Sequence, residues 1–156
     1  MMEIRKATFN DLEQIKFLIN INFDEIITKY HSQHIIDKFK NYNTIENLKL
    51  QLNWKKIYVA VDNGSIVGTG AFVNFGSVEL PKFSISNLYV LPELHGKGIG
   101  TLIVSILISD AIECNATSFH VPSTKNAVEF YERFGFSVDE IQLEIEDEIT
   151  WMTMKF

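Results

Sequence analysis

The sequence predicts a mixed α/β fold in which helices cover the faces of one central sheet. Stretches with apolar residues at every second position alternate with stretches in which apolar residues recur at helical spacing. The resulting order is strand, helices, three strands, helix, strand, helix and two strands. The length of 156 residues, without an internal repeat or a Pro/Gly-rich linker, predicts a single domain over residues 1–156.

The first third of the chain predicts one strand followed by three helical segments. Alternation indicates a strand from Met2 to Ala7. Thr8 is expected to cap the next helix, with Asp11 in its first turn. The apolar residues at helical spacing in this helix are Leu12, Ile15, Ile19 and Phe23. The range from Thr28 to Trp54 predicts two short helices, and Thr44 is expected to cap the second of them.

A hairpin and a third strand follow these helices. The ranges Ile57–Val61 and Ser65–Val73 flank Asn63-Gly64, a strong two-residue hairpin signal. Lys82–Val90 alternates as another strand, and Pro92 ends it because proline lacks the amide donor of the ladder. These three strands are expected to be neighbours in the sheet.

The second half of the chain predicts two helices and three strands. Gly98–Ile112 is apolar almost all round, so this helix is expected to be buried on more than one side. Ser118–Val121 indicates a short strand. Lys125–Phe134 indicates a helix that ends at Gly135, a good left-handed cap. The last two strands are expected over 137–145 and 149–155.

Charge and cysteine content exclude several classes of protein. Lys plus Arg number 14 and Asp plus Glu number 20, so the net charge is −6. This sign disfavours nucleic-acid binding, which depends on neutralising phosphates with basic side chains. The single cysteine, Cys114, excludes an internal disulfide and a cysteine metal cluster, which fits a reducing cytoplasm. We expect Cys114 to be a small buried apolar residue.

Membrane, export and metal sites are also not expected. No apolar run approaches the roughly 18 residues that a membrane span needs. The N-terminus lacks the apolar core of a signal peptide, so a cytoplasmic protein is expected. His31 and His34 lie three residues apart without a carboxylate at metal-site spacing, so no metal is expected.

The segment from Leu88 to Thr101 carries the most chemical information. Gly96, Gly98 and Gly100 alternate between the end of a strand and the start of a helix. Such glycines let successive amide N–H groups face one concavity, and the helix N-terminus adds about half a positive charge. This arrangement predicts an anion site suited to a pyrophosphate. The alternative is that the glycines only form a tight turn.

Two other phosphate-binding motifs do not fit this segment. A Walker loop needs Ser or Thr after Gly-Lys, where this chain has Gly98. A dinucleotide fingerprint needs Gly or Ala where this chain has Thr101, and the chain lacks a second βαβ half.

Two motifs, in the expected order, resemble the GNAT superfamily of acyl-CoA-dependent N-acyltransferases. The family's pyrophosphate motif, Gln/Arg-x-x-Gly-x-Gly/Ala, falls on His95–Gly100. The second motif combines Asn and a small residue with Phe-Tyr and Gly-Phe, and it falls on Asn126–Phe136. The departure is His95, because the family usually has Gln or Arg there.

The resemblance implies a mostly antiparallel central sheet with helices on both faces. Two parallel strands, ending at Val90 and Val121, would splay apart, and a β-bulge near 88–89 would open the first. The implied cosubstrate is acetyl-CoA, with its pantetheine arm on the backbone of Leu88 and Val90 and its pyrophosphate on the amides from Gly96 to Thr101. The implied cofactor-binding residues are Leu88, Tyr89, Val90, His95, Gly96, Lys97, Gly98, Ile99, Gly100, Thr101, Asn126 and Tyr131.

The resemblance also implies direct attack of a primary amine on acetyl-CoA in a ternary complex. Tyr131 would protonate the departing thiolate; alternatively, it is only a core aromatic. Asn126 would contact the pantetheine arm or else cap its helix. The amine belongs to a small molecule or a peptide, and a homodimer is conceivable by analogy. The acidic C-terminal run that includes Asp147 and Glu148 forms a solvated face or attracts a cationic amine.

The general base stays open at this point. Many relatives carry a glutamate near the position of Asn87, and an asparagine does not titrate. His120, Glu79 or an ordered water are the candidates, and a packed strand histidine is the alternative role for His120. The missing carboxylate also leaves a second function open, an acyl-CoA-binding sensor or partner-binding module with little or no transfer.

Overall fold

The computed structural model describes residues 1–142 and 147–156. Within these ranges, seven strands form one sheet: β1 (Met2–Lys6), β2 (Lys56–Asp62), β3 (Ser65–Asn74), β4 (Phe83–Val90), β5 (Ser118–Ser123), β6 (Ser137–Val138) and β7 (Thr150–Lys155). Their spatial order is β1-β2-β3-β4-β5-β7-β6. Neighbouring strands are antiparallel except β4 and β5, which are parallel.

Helices cover both faces of this sheet. They are α1 (Leu12–Glu25), α2 (Gln33–Tyr42), α3 (Ile45–Gln51), α4 (Ile99–Glu113) and α5 (Val128–Glu132). One apolar core joins α1, α2 and α3 to the first face through residues such as Ile15, Ile36 and Leu48. A second core joins α4 and α5 to the other face through residues such as Ile103 and Tyr131. The predicted fold class is therefore confirmed.

Several predicted boundaries are confirmed by local hydrogen bonds and dihedral angles. Thr44 caps α3, because its Oγ1 accepts from the Asn47 amide at 3.2 Å. Asn63 and Gly64 have φ of 50° and 82°, the positive pair that a tight hairpin turn needs. Gly135 has φ of 104° and ends the helical segment before it, as expected.

The expected burial of α4 and Cys114 is wrong. Leu102 and Ile112 are exposed, because α4 rests on the sheet with one face and turns these side chains to solvent. Cys114 is also exposed, at the residue that follows the end of α4.

The C-terminal elements are shorter than predicted. The helix expected over 125–134 is a 3-10 turn, Lys125–Ala127, followed by the single turn of α5. The strand expected over 137–145 is only the two residues of β6 within the described range. Residues 143–146, which include Glu144 and Glu146 of the predicted acidic run, lie outside the described residues.

The parallel strands β4 and β5 separate soon after they meet. In the described residues they pair in register only at Ser84 and His120, near the start of β4. A β-bulge on the other side of β4 changes its direction. Thr69 faces Tyr89 but Ala71 faces Ser86, so two residues of β4 oppose Gly70 alone.

The bulge lies at Asn87 and Leu88, one residue earlier than predicted. Asn87 adopts φ of 54°, a left-handed conformation that asparagine tolerates better than most residues. Gly70 suits the opposing position, since a Cβ there would lie 2.5 Å from Ile103 Cγ2 and 3.2 Å from Leu88 Cδ1. Because β4 bends at the bulge and pairs with β5 only at Ser84 and His120, an open wedge lies between the two strands.

The start of the first helical segment depends on Asp11 more than on the predicted cap, Thr8. Arg5 binds the buried Asp11 carboxylate through two hydrogen bonds, of 2.8 and 3.0 Å. The Thr8 amide donates to the same carboxylate at 2.7 Å, and the Thr8 hydroxyl also donates to it. The hydrogen bond from Arg5 is the largest of the effects that lower the pKa of Asp11 below its usual 3.8, and the bonds from Thr8 act in the same direction. Burial alone would raise this pKa.

Asp11→Asn is therefore expected to lower the free energy of unfolding at neutral pH by about 1 kcal/mol, a modest value because solvent screens the half-exposed Arg5. The pKa of Asp11 is lower in the folded than in the unfolded state, so its contribution is present above the unfolded value. It is lost as pH falls through the folded-state value. Urea unfolding at pH 7 and well below pH 3.8 measures this difference.

Glu13→Gln is the control, because Glu13 is an exposed acid in the first turn of α1. This variant should unfold with nearly the parent free energy at both pH values. Equal stability of Asp11→Asn and the parent at pH 7 would contradict the assignment.

Candidate active site

A cavity of about 1330 Å³ opens where β4 and β5 separate. Every residue that the sequence analysis assigned to cofactor binding lines it, except Lys97, whose side chain is exposed elsewhere. The opposite end is lined by aromatic and polar side chains from α2, from α3, from the turn that follows α3 and from β7, among them Phe39, Gln51, Trp54, Lys55 and Trp151. The cavity therefore has two ends built from different parts of the chain.

The first end is the glycine loop that precedes α4. Gly96 and Gly98 have φ of 78° and 88°, and a Cβ on either would meet no atom within 4 Å. The loop thus presents bare backbone to open space. The first helical hydrogen bond is donated by Leu102 to Gly98 O at 3.0 Å. The amides of 99–101 therefore have no partner inside the helix and can serve an anion.

Gly100 has a different role from the other two loop glycines. A Cβ at Gly100 would lie 3.2 Å from the Phe130 ring, which belongs to α5. This glycine lets α4 and α5 approach each other beside the cavity. Two of the loop glycines thus face open space, and the third permits close helix packing.

The backbone of Val90 also faces the cavity. The Leu91 amide donates to Val67 O of β3 at 2.9 Å, so the backbone groups of Val90 point the other way because bonding direction alternates along a strand. Asn22 Nδ2 donates to Val90 O at 2.9 Å. His95 Nε2 lies 2.8 Å from the same oxygen and donates to it as its N–H tautomer.

This arrangement changes the expectation for Val90 and explains His95. The carbonyl of Val90 already accepts two hydrogen bonds, so its N–H is the group left to pair with a ligand. His95 does not act here as a substitute for a guanidinium on a phosphate. Its ring instead ties the glycine loop to the end of β4, and Asn22 ties α1 to the same point.

Tyr131 forms part of the cavity wall. Its ring packs edge-on against Phe130 and Phe136, with centroids 5.2 and 5.8 Å away. Burial, and then the nearby Tyr89, raise the pKa of the Tyr131 hydroxyl above its usual 10. The Tyr131 hydroxyl has no hydrogen-bond partner among the described residues. Every fully buried side-chain oxygen or nitrogen of these residues does have a partner, so the Tyr131 hydroxyl is not fully buried. The Tyr131 hydroxyl therefore reaches the cavity as a protonated donor.

Asn126 does not cap its helix. It lies inside the 3-10 turn Lys125–Ala127, whose cap is Thr124, so the capping role considered for Asn126 is wrong. Asn126 is exposed and lines the cavity.

His31 joins three parts of the chain at the rim of the cavity. Its Nε2 accepts from the Lys125 amide at 3.1 Å, and its Nδ1 donates to Glu148 Oε1 at 3.1 Å. Glu148 also accepts from the amide and hydroxyl of Ser32. Burial lowers the pKa of His31, which fits a neutral ring with one donor and one acceptor. His31 is thus a structural link, while the other metal candidate, His34, is exposed in α2.

The position of Asn87, where the resemblance implies a glutamate in many relatives, holds a hydrogen-bond network without a carboxylate among the described residues. Asn87 Nδ2 donates to Gln51 Oε1 at 2.8 Å, and Ser86 Oγ donates to Asn87 Oδ1 at 2.6 Å. Lys55 Nζ donates to Ser86 Oγ and to Asn87 Oδ1, both at 3.0 Å. Burial lowers the pKa of Lys55 to about 8. Sequence analysis did not single out Lys55, since Trp54-Lys55-Lys56 matches no motif.

Neither side-chain candidate for the base lines the cavity. His120 Nδ1 bonds Thr153 Oγ1 at 3.0 Å, and its Nε2 bonds Ser118 Oγ at 3.1 Å. Burial and the nearby Lys82 lower the pKa of His120, so it is a packed, neutral strand histidine. Glu79 is exposed in the loop before β4. A water molecule in the cavity is the candidate that this geometry leaves.

Comparison with known proteins gives the family. A family model described as "Acetyltransferase (GNAT) domain" matches residues 26–156. The PaiA N-acetyltransferase of Thermoplasma acidophilum, crystallised with coenzyme A, superposes with a TM-score of 0.83 and 18% identity, covering 100% of this chain and 99% of its own. The Brucella melitensis GNAT family acetyltransferase in complex with acetyl-CoA superposes with a TM-score of 0.71 and 20% identity, and the match covers 100% of this chain and 88% of the Brucella chain. A "predicted acetyltransferase" with acetyl-CoA from Clostridium acetobutylicum superposes with a TM-score of 0.66 and 27% identity, and the match covers 92% of this chain and 95% of the Clostridium chain.

The chain therefore belongs to the GNAT acetyltransferase domain family, which confirms the resemblance found in its two motifs. No curated protein matches the chain. Among the helices in the described ranges, none combines the length and the apolar character that crossing a membrane requires.

Proposed function

We propose that this protein is an N-acetyltransferase that moves the acetyl group of acetyl-CoA to a primary amine by direct attack in a ternary complex. The observation that carries the proposal is the convergence of three features on one cavity. These are the bare amides of the glycine loop, the inward backbone of Val90 between splayed strands, and the protonated hydroxyl of Tyr131.

The first end of the cavity fits the cosubstrate. The unpaired amides at the start of α4 suit the pyrophosphate, because they combine hydrogen-bond donors with the positive end of the helix dipole. The Val90 N–H suits an amide of the pantetheine arm, as the next strand of a sheet would. Solved relatives that carry coenzyme A or acetyl-CoA support this choice of ligand.

The chemistry proposed for the chain's own residues is modest and consists mainly of positioning. The candidate donor that polarises the thioester carbonyl is the N–H of Leu88 or Val90, whichever of the two does not pair with the pantetheine arm. Holding both substrates in one cavity lowers the entropic barrier. Tyr131 is the acid for the thiolate, since its raised pKa keeps the proton in place at neutral pH. Proton removal from the amine is assigned to water, because the network around Asn87 holds no carboxylate.

An acyl-CoA-binding sensor or partner-binding module is the second candidate. The observation that favours it is the hydrogen-bond network at Asn87, which holds no carboxylate among the described residues, where the resemblance implies a glutamate in many relatives. Such a module would use the same cosubstrate end without efficient transfer.

Steady-state release of CoA over a panel of primary amines, together with calorimetric titration of acetyl-CoA, separates the two functions. The enzyme proposal expects acetyl-CoA binding and amine-dependent CoA release with at least one class of amine. Tight acetyl-CoA binding without turnover of any amine would favour the sensor. Absence of acetyl-CoA binding would remove both.

A further inference from the structure

The second end of the cavity contains a half-buried lysine that has no acidic partner among the described residues. Lys55 lies between α3 and β2, and its Nζ sits 5.0 Å from the centroid of the Trp54 ring and 5.8 Å from that of Phe75. Two of the three ammonium protons go to the neutral oxygens of Ser86 and Asn87. The third proton has no partner among the described residues, and Lys55 lines the cavity.

The isolation of this charge is unusual in energetic terms. In the part of the chain that the structure describes, no carboxylate lies within ion-pair distance of Lys55 Nζ. Burial is the physical cause that brings the pKa of Lys55 down to about 8. A charge that is partly removed from water without an acidic partner loses solvation, and a ligand that supplies the opposite charge compensates for that loss.

The surrounding charges favour an anion over a cation at this end. Asp147 and Glu148 line the cavity, but Asp147 is paired with Lys38, and Glu148 is bound by His31 and Ser32. The charge of Asp147 is therefore compensated by Lys38, whereas Glu148 keeps its charge and is held at the rim by hydrogen bonds from the neutral His31 ring and from Ser32.

A second cation lines the same end. Lys82 Nζ lies 3.5 Å from the centroid of the Trp151 ring, and Trp151 packs against Phe75. The aromatic walls thus carry a lysine at each side. A polyamine entering here would meet like charges, whereas an anionic group would meet Lys55 with a proton to donate.

We propose that the acceptor amine also carries a carboxylate, and that Lys55 Nζ binds this carboxylate at the end of the cavity opposite the glycine loop. The acceptor is then an amino acid in the broad sense, with its apolar part against Trp54 and Phe75. This inference rests on the proposed acetyltransfer, because it assigns the substrate class of that same cavity.

The experiment compares amino acids with their matched carboxamides, which keep the amine and side chain but remove the charge. The panel includes α-amino acids and ω-amino acids of several lengths, and the readout is kcat and KM from CoA release. We expect the best amino acid to exceed its carboxamide in kcat/KM by at least about tenfold, the worth of one charge-assisted hydrogen bond. Equal or better use of carboxamides or of polyamines would overturn the proposal.

Lys55→Met keeps the length of the side chain and removes the charge. It should raise KM for the amino acids about tenfold or more, with little change for the carboxamides and in kcat. Lys49→Met, an exposed lysine of α3 over the Phe9 ring, is the control and should change neither. If Lys55→Met lowers kcat equally for the amino acids and for their carboxamides, Lys55 acts as a general base and the carboxylate site is refuted. The variant loses a half-buried charge without an acidic partner but also two hydrogen bonds, so it should fold with about the stability of the parent, which thermal unfolding checks.

A binding measurement distinguishes failure of this inference from failure of the proposed function. Calorimetric titration of the protein with the N-acetyl amino acids of the panel needs no turnover. Binding that Lys55→Met weakens about tenfold, in a protein that transfers nothing, would sustain the carboxylate site and remove the enzyme. Turnover of amines without a carboxylate preference would remove the carboxylate site alone. No binding of any of these acids, to a protein without turnover, would remove both.

Discussion

Tyr131→Phe is expected to lower the turnover number about 100-fold, the effect of losing a general acid. The substitution removes only the hydroxyl, and the ring keeps its packing against Phe130 and Phe136. Stability should change little, because this hydroxyl has no hydrogen-bond partner among the described residues. Acetyl-CoA affinity should also stay nearly constant, since the amides of the glycine loop and Val90 are untouched. The measurement is turnover at saturating acetyl-CoA across pH, with the amine that proves most active.

Tyr58→Phe is the matched control for this prediction. Tyr58 is a buried tyrosine of the same apolar core, and its hydroxyl donates to Asp110 at 2.6 Å, away from the cavity. Its loss should lower the free energy of unfolding by about 1 kcal/mol and leave turnover unchanged. Tyr131→Phe should therefore lower the turnover number and leave stability nearly unchanged, whereas Tyr58→Phe should lower stability and leave the turnover number unchanged. If chemistry limits the rate and Tyr131→Phe stays within threefold of the parent, Tyr131 is only a packed aromatic.

Gly98→Asp is expected to weaken acetyl-CoA binding by at least about tenfold, or about 1.4 kcal/mol. A carboxylate at this position would project into the open space that the loop amides face, where the pyrophosphate is proposed to bind. Repulsion between the two anions and the loss of room act in the same direction. Calorimetric titration with acetyl-CoA measures the change.

Two controls separate charge from backbone strain. Gly98→Asn introduces a side chain of nearly the same shape without the charge, so it should bind acetyl-CoA better than Gly98→Asp. Gly64→Asp places the same residue in a hairpin turn with φ of 82°, close to the 88° of Gly98, and far from the cavity. Gly64→Asp should lower stability through the same backbone strain as Gly98→Asp, and it should leave the affinity for acetyl-CoA unchanged. Unchanged affinity in folded Gly98→Asp would remove the anion-site assignment.

The glycine loop could be predicted because its signals are local. The period of two before it, the period of 3.6 after it and the glycines between them are all visible in a single stretch of sequence. Gly96 and Gly98 adopt the left-handed conformation that such a loop requires. Asn126 and Tyr131 were found only through the resemblance to a family, because nothing local separates a functional tyrosine from a core aromatic.

The second end of the cavity could not be predicted for the opposite reason. Lys55 reaches Ser86 and Asn87 across more than 30 residues of chain, and Asn22 reaches Val90 across 68. Such contacts depend on tertiary packing and leave no pattern in the sequence. The exposure of Cys114 follows from where α4 ends relative to the sheet, which periodicity does not reveal.

A crystal structure of the complex with coenzyme A would show whether this cavity holds the cosubstrate. We expect the pyrophosphate oxygens within about 3 Å of the amides of Ile99, Gly100 and Thr101, and the pantetheine arm along Val90 in the wedge between β4 and β5. The thiol should then point toward the Tyr131 hydroxyl. Coenzyme A bound elsewhere, or with its pyrophosphate away from the glycine loop, would refute the assignment of the cosubstrate site.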